Sequence, residues 1–91
     1  MAESLELADA LCRINDPETM RRFLGEVLTP SESSTIALRW ELMKRLKRGE
    51  TQRAVAAELG ISLCKITRGA KIVHDPDSVS SRLLNGQSIN P

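Results

Sequence analysis

The stretch TQRAVAAELGISLCKITRGA, residues 51 to 70, carries side chains suited to contact with a polyanion, spaced along two short expected helices. Gln52, Arg53 and Thr67 are placed to fix phosphates. Leu63, Cys64, Lys65 and Thr67 fall on the outer face or leading end of the second helix, where small and medium side chains let a helix end approach base edges in a major groove. Leu63 and Cys64 offer apolar contact to a thymine methyl, and Lys65 reaches a guanine edge or a phosphate. Ser62 precedes them as a good N-cap residue and stands at the same DNA-facing end. None of this is covalent chemistry. His74 is the only histidine and precedes Asp75-Pro76 in an expected loop, with no nucleophile or paired carboxylate beside it. Cys12 and Cys64 lack metal-type spacing and read as reduced thiols of a cytoplasmic protein. Neither an enzyme nor a metal or cofactor site is expected.

The helices that position these residues follow a helix-turn-helix pattern. Gln52 opens the first helix, with Val55 and Leu59 as its buried positions, and Ala56 sits where the two helices cross most closely. Gly60 supplies a turn that wants a left-handed backbone, where glycine has no Cβ penalty. Ile61 plugs the space under the turn, and Ile66 packs inward from the second helix. Upstream, residues 4 to 13 carry Leu5, Ala8, Leu11 and Cys12 at helical spacing. Asp16-Pro17 starts a helix with an N-cap and a proline in its first turn, and Met20, Phe23, Leu24, Val27 and Leu28 form its apolar stripe. Thr29-Pro30-Ser31-Glu32 starts the longest element, to about Arg48, with Glu32 placed to complete a capping box with Thr29. Ile36, Trp40 and Met43 line one face of that helix and Leu38, Leu42 and Leu46 another, so burial against more than one neighbour is expected, with Trp40 in a core.

Composition limits what such a chain can be. Its 91 residues make one domain that buries only about 60% of its unfolded surface, and its only aromatics are Phe23 and Trp40. An all-α fold with added area from a second copy fits these limits. Residues 1 to 38 carry three Lys/Arg against seven acids, a net of −4; residues 39 to 71 carry nine against three, a net of +6; the remainder is −1. The basic block, including Lys44, Arg45, Lys47 and Arg48, coincides with the helix-turn-helix pattern and marks a localised surface for a polyanion. The same four side chains also complement a helix C-terminal dipole before Gly49. No stretch approaches the roughly 18 apolar residues of a membrane helix, and the first residues do not read as a secretion signal.

From Leu28 to Gly69 the segments LTPSE, ALRWELMKRLKRGE, TQRAVAAELG and ITRG resemble the Trp repressor family. The resemblance implies an all-helical homodimer with intertwined subunits, two reading heads flanking a shared core, and a near-palindromic double-stranded operator. It further implies L-tryptophan as a corepressor ligand. Arg39 and Arg68 match the two arginines that sandwich the indole. Arg68 takes the carboxylate with help from Thr29, backbone carbonyls around Glu26 and Leu28 meet the ammonium, and Gly69 leaves room for the ring. Three positions depart from the family pattern. Ala56 stands where a phosphate-contacting lysine is expected, and Ile72 where a serine near the ligand's amino group is expected. Lys71 stands in place of an asparagine and can restore a phosphate contact.

The expected organisation is one domain over residues 1–84, with dimerisation helices at 1–50 and a reading head at 51–73. Val79, Leu83 and Leu84 would form one short docking helix, and 85–91 a disordered tail. The expected function is a tryptophan-activated transcriptional repressor of tryptophan biosynthesis or transport genes. Two alternatives stay open: a related DNA-binding regulator that ignores tryptophan, and a helical protein-protein adaptor.

Overall fold

A computed structural model describes residues 2–86, with side chains from residue 5 onward. Six helices follow one another: α1 (Ala2–Cys12), α2 (Pro17–Val27), α3 (Pro30–Lys47), α4 (Gln52–Leu59), α5 (Leu63–Val73) and α6 (Val79–Leu84). Their boundaries are written in the caps. Asp16 accepts the Thr19 N–H at 2.9 Å and Pro17 opens α2. At α3 the capping box closes both ways: Thr29 Oγ1 accepts the Glu32 N–H at 3.1 Å, and Glu32 Oε1 accepts the Thr29 N–H at 2.9 Å. Thr51 Oγ1 caps α4 by accepting the Ala54 N–H at 3.1 Å. Gly49 (φ 98°) ends α3 and Gly60 (φ 67°) ends α4, each in the positive-φ region that disfavours any side chain.

The chain packs as two compact units, Met1–Thr35 and Ile36–Pro91, with the division inside α3. In the second unit Leu42, Leu46, Val55, Ile66 and Ala70 form the core, with Val55 and Ile66 wholly inaccessible. Met43, Ala56, Leu59 and Ile61 pack around it half-buried; Val55 and Ile66 are buried as the pattern expects, while Leu59 is only partly so. Leu42 and Leu46 carry α3 into that core, and Leu38, one turn earlier in the same row, is half-buried. Ile36 and Trp40 lie two residues out of phase, on the other side of the helix. Trp40 is 41% exposed, so it is not a core residue of the single chain.

In the first unit no described side chain is buried. On α1 only Ala10 and Leu11 are half-buried, and Leu5, Ala8 and Cys12 are exposed, against the expected stripe. On α2 and just beyond it Met20, Phe23, Leu24 and Leu28 are half-buried, while Val27 is exposed.

The last helix forms where expected but docks differently. Val79 and Leu83 point outward, and the buried residue is Ser81, whose Oγ accepts a hydrogen bond from Lys47 Nζ at 3.2 Å. Ser78 caps the helix and donates its hydroxyl to the Ile72 carbonyl at 2.8 Å. Polar bonds therefore hold α6 against α5 and α3, with Leu84 half-buried. Asn85 is the C-cap of α6; of the expected tail, residues 87–91 lie outside the described residues.

Candidate nucleic-acid interface and adjoining cleft

Helix α5 has two working sides. Its first turn and outward face present Leu63, Cys64 and Thr67, all exposed, with Lys65 exposed at the border between the two sides and Gln52 and Arg53 exposed at the start of α4. Thr67 donates its hydroxyl to Gln52 Oε1 at 3.4 Å, which ties the outer face of α5 to the head of α4. Ser62 occupies the N-cap position in extended conformation but makes no side-chain cap bond. The first-turn N–H groups of α5 therefore stay available to an acceptor from outside, beside the positive end of the helix dipole. Lys71 is exposed two turns further along.

The basic block is not one surface. In the last turn of α3, Arg45 Nε pairs with Glu41 at 2.9 Å and Arg45 Nη1 with Glu58 of α4 at 3.0 Å, while Lys44 meets Glu41 at 3.2 Å. Arg48 pairs with Glu50 at 2.8 Å, and Lys47 is engaged with Ser81. Hydrogen bonds from Arg45 and then Lys44 hold the Glu41 carboxyl below its ordinary value, and the Glu41 and Glu58 carboxylates hold the Arg45 guanidinium above its own. Arg45 thus fastens α4 to α3. Among the described residues no carboxylate pairs with Arg53, Lys65, Arg68 or Lys71. Within the basic block, the cations without a carboxylate partner among the described residues are Arg39, Lys47, Arg53, Lys65, Arg68 and Lys71, most of them on or beside α5.

The inward side of α5 borders a cleft of about 210 Å³. Arg39, Leu42 and Met43 line it from α3, Lys65, Arg68, Gly69 and Ile72 from α5, and Ser80 from α6. Its size is below that of pockets for drug-sized molecules, so it suits a small ligand. Arg39, Arg68 and Gly69, picked out in the sequence, come together here. Gly69 is buried, and a Cβ on it would collide with Leu42 Cδ1, so the space beside this glycine admits the α3 side chain. Thr29, Glu26 and Leu28 belong to the first unit. There the Thr29 hydroxyl is engaged in its cap, and Glu26 borders a shallow depression with Ile14, Thr19, Arg22 and Phe23. Ser80 and Met43 carry no motif that marks them as cleft residues; Ser80 reaches the cleft because α6 is held by the Ser81 and Ser78 bonds.

Among the described residues no group of His, Cys, Asp and Glu could hold a metal ion, and no helix is long and apolar enough to cross a membrane. His74 is exposed as the C-cap of α5.

Comparison with known proteins gives the family. The family described as Trp repressor protein matches residues 2–87. Trp operon repressor homologs of Xylella fastidiosa, from strains M23, Temecula1 and 9a5c, are each 36% identical over 70 residues, covering 76% of this chain and 76% of theirs. No solved structure gives a significant match. The chain belongs to the Trp repressor family, a family of transcription regulators and not of enzymes.

Proposed function

We propose that this regulator is a homodimeric, operator-binding repressor whose DNA affinity is raised by L-tryptophan held in the cleft, and that it acts in the cytoplasm on tryptophan biosynthesis or transport genes. One observation carries the reading: α5 bears the outward polyanion face and the inward cleft on the same rigid element. A ligand in the cleft therefore bears directly on the placement of Leu63, Cys64, Lys65 and Thr67. Arg39 and Arg68 approach the cleft from two helices, and planar guanidinium groups stack on an indole face. Arg68 also offers a charge-assisted bond to the carboxylate. A ligand that fits only the DNA-competent placement of α5 stabilises it by its differential affinity.

Gln52, Arg53, Ser62, Thr67 and Lys71 hold the phosphates, and Leu63, Cys64 and Lys65 meet the base edges. The dimer is supported by the apolar side chains that one chain leaves exposed, Leu5, Leu7, Val27, Ile36 and Trp40.

Calorimetric titration of L-tryptophan, followed by binding to operator-like DNA with and without it, tests the proposal; calorimetry avoids the fluorescence of Trp40. Saturable binding that disappears in Arg68→Ala, with tighter DNA binding in its presence, is the expected result. Absence of heat with unchanged DNA affinity would leave a regulator that ignores tryptophan. DNA affinity without a steep salt dependence would point instead to an adaptor.

A further inference from the structure

The sequence SVSSRLL at the last helix holds three serines, and two of them have structural work. Ser78 caps α6 and donates to the Ile72 carbonyl; Ser81 is buried and accepts from Lys47. Ser80, half-buried between them in sequence, makes no side-chain hydrogen bond to any described residue and lines the cleft. Its chemistry differs from that of every other lining side chain. Arg39, Lys65 and Arg68 donate hydrogen bonds and cannot accept them, and Leu42, Met43 and Ile72 are apolar. The Ser80 hydroxyl is therefore the one side-chain oxygen acceptor in the lining, the Met43 thioether being only a weak acceptor.

A zwitterionic amino acid needs both kinds of partner. Its carboxylate is met several times over by the three cations. Its ammonium carries three donors and is repelled by those same cations, so it must find an oxygen. Ile72, one turn after Arg68 on the cleft side of α5, offers none.

We propose that Ser80 is a ligand-binding residue, whose hydroxyl accepts a hydrogen bond from the α-ammonium group of the bound amino acid. Helix α6 thereby sets the discrimination between an α-amino acid and the corresponding acid without nitrogen. This rests on the reading that the cleft binds L-tryptophan, and it adds the residue that recognises the amino end.

The test is calorimetric titration of L-tryptophan and of indole-3-propionate into the full-length protein and its Ser80→Ala variant. The two ligands share ring and carboxylate and differ in the ammonium. Ser80→Ala should weaken L-tryptophan about ten-fold, the range of a hydrogen bond to a charged group, and leave indole-3-propionate within about two-fold. Ser80→Thr, which keeps a hydroxyl, should retain most of the discrimination. Equal loss for both ligands, or no loss for either, overturns the assignment while the cleft reading stands. If neither ligand binds the unaltered protein, the cleft reading falls and the assignment falls with it. Thermal melting of both variants checks that α6 stays docked, since alanine is compatible with a helix interior.

Discussion

The two units of this chain solve the problem of burial differently. The second, from Ile36 onward, closes a core on itself: Val55 and Ile66 are fully inaccessible, and Leu42, Leu46, Ala70 and Val73 are nearly so. The first, up to Thr35, buries none of its described side chains, although α2 is strongly amphipathic and its caps are complete. Local signals form helices in both, and only one of them contains the surface its helices need. Within the second unit, Trp40 and Ile36 are exposed on the part of α3 that faces away from Leu42. The difference teaches that the second unit is a self-sufficient scaffold for the cleft and for the exposed face of α5. The N-terminal helices leave apolar surface uncovered, and in the dimer proposed above a second copy would supply the area a 91-residue chain lacks.

The largest effects test that contrast directly. Ile66→Ala empties a filled site and should cost about 2–5 kcal/mol, the usual range for truncating a buried aliphatic side chain. Denaturant unfolding measures it, and the loss should persist at any protein concentration. Trp40→Asp removes a side chain that the chain's own packing leaves 41% exposed, so its cost within a monomer is small. If a second copy covers Trp40, this variant should sediment as a monomer at concentrations where the unaltered protein is a dimer. The unaltered protein should then show a melting temperature that rises with concentration. A monomeric unaltered protein whose Trp40→Asp variant melts at the same temperature would break the comparison.

Much of this architecture is legible in the residues, and the exceptions share a cause. Asp16, Thr29, Glu32, Thr51 and Gly60 act through neighbours within a few positions, so type and spacing specify their helix ends. Val55, Ala56, Ile61 and Ile66 fit a pattern whose geometry is local. Arg39 and Arg68 line one cleft, because each lies on a helix whose register is fixed by its apolar row. Trp40 misleads because residue type reports that it favours burial, whereas the helix register turns it away from the Leu42 row. The α3 cations mislead because pairing with Glu41, Glu50 and Glu58 depends on where α4 lands. Ser80 gives no signal at all, since its place depends on the Lys47–Ser81 bond across the length of the unit.

Two glycines sharpen the comparison at smaller amplitude. Gly69 of α5 sits against Leu42, so Gly69→Ala overpacks at about 1–3 kcal/mol and recovers up to about 1 kcal/mol of helix propensity. The net expectation is a loss of about 0–3 kcal/mol. Leu42 also lines the cleft, so the displaced side chain swings into it, and ligand affinity should fall by more than stability does. Gly25 of α2 has no atom within 4 Å of an added Cβ. Gly25→Ala should stabilise the helix by about 0.5–1 kcal/mol. Thermal melts of the two variants read the contrast, and destabilisation by Gly25→Ala would show that a partner surface covers that part of α2.

The smallest effect is on acid sensitivity, and it divides the same way. Asp16 in the first unit is held below its ordinary value of 3.8 by the Thr19 backbone hydrogen bond and then the Thr19 side chain. Glu41 in the second is held below its ordinary value of 4.5 by hydrogen bonds from Arg45 and then Lys44. A carboxyl whose value is depressed by folding binds its proton less readily in the native state. Each therefore contributes stability that is complete above its ordinary value and is lost as the pH falls through the lowered one. Asp16→Asn keeps a capping oxygen and Glu41→Gln keeps an acceptor for Arg45, while both remove the titration. Melting temperature followed from neutral pH down through 4.5 should fall less steeply in each variant than in the unaltered protein. The onset should lie at higher pH for the Glu41 contribution than for Asp16, because its ordinary value is the higher of the two. Glu41 is joined through Arg45 to Glu58, so its protonation loosens α4 against α3 and DNA affinity should weaken with it. Asp16 has no such link, and its protonation should unwind only the start of α2. Equal loss of DNA affinity in Asp16→Ala and Glu41→Ala would mean that the N-terminal helices govern the reading head as strongly as its own ion pairs do.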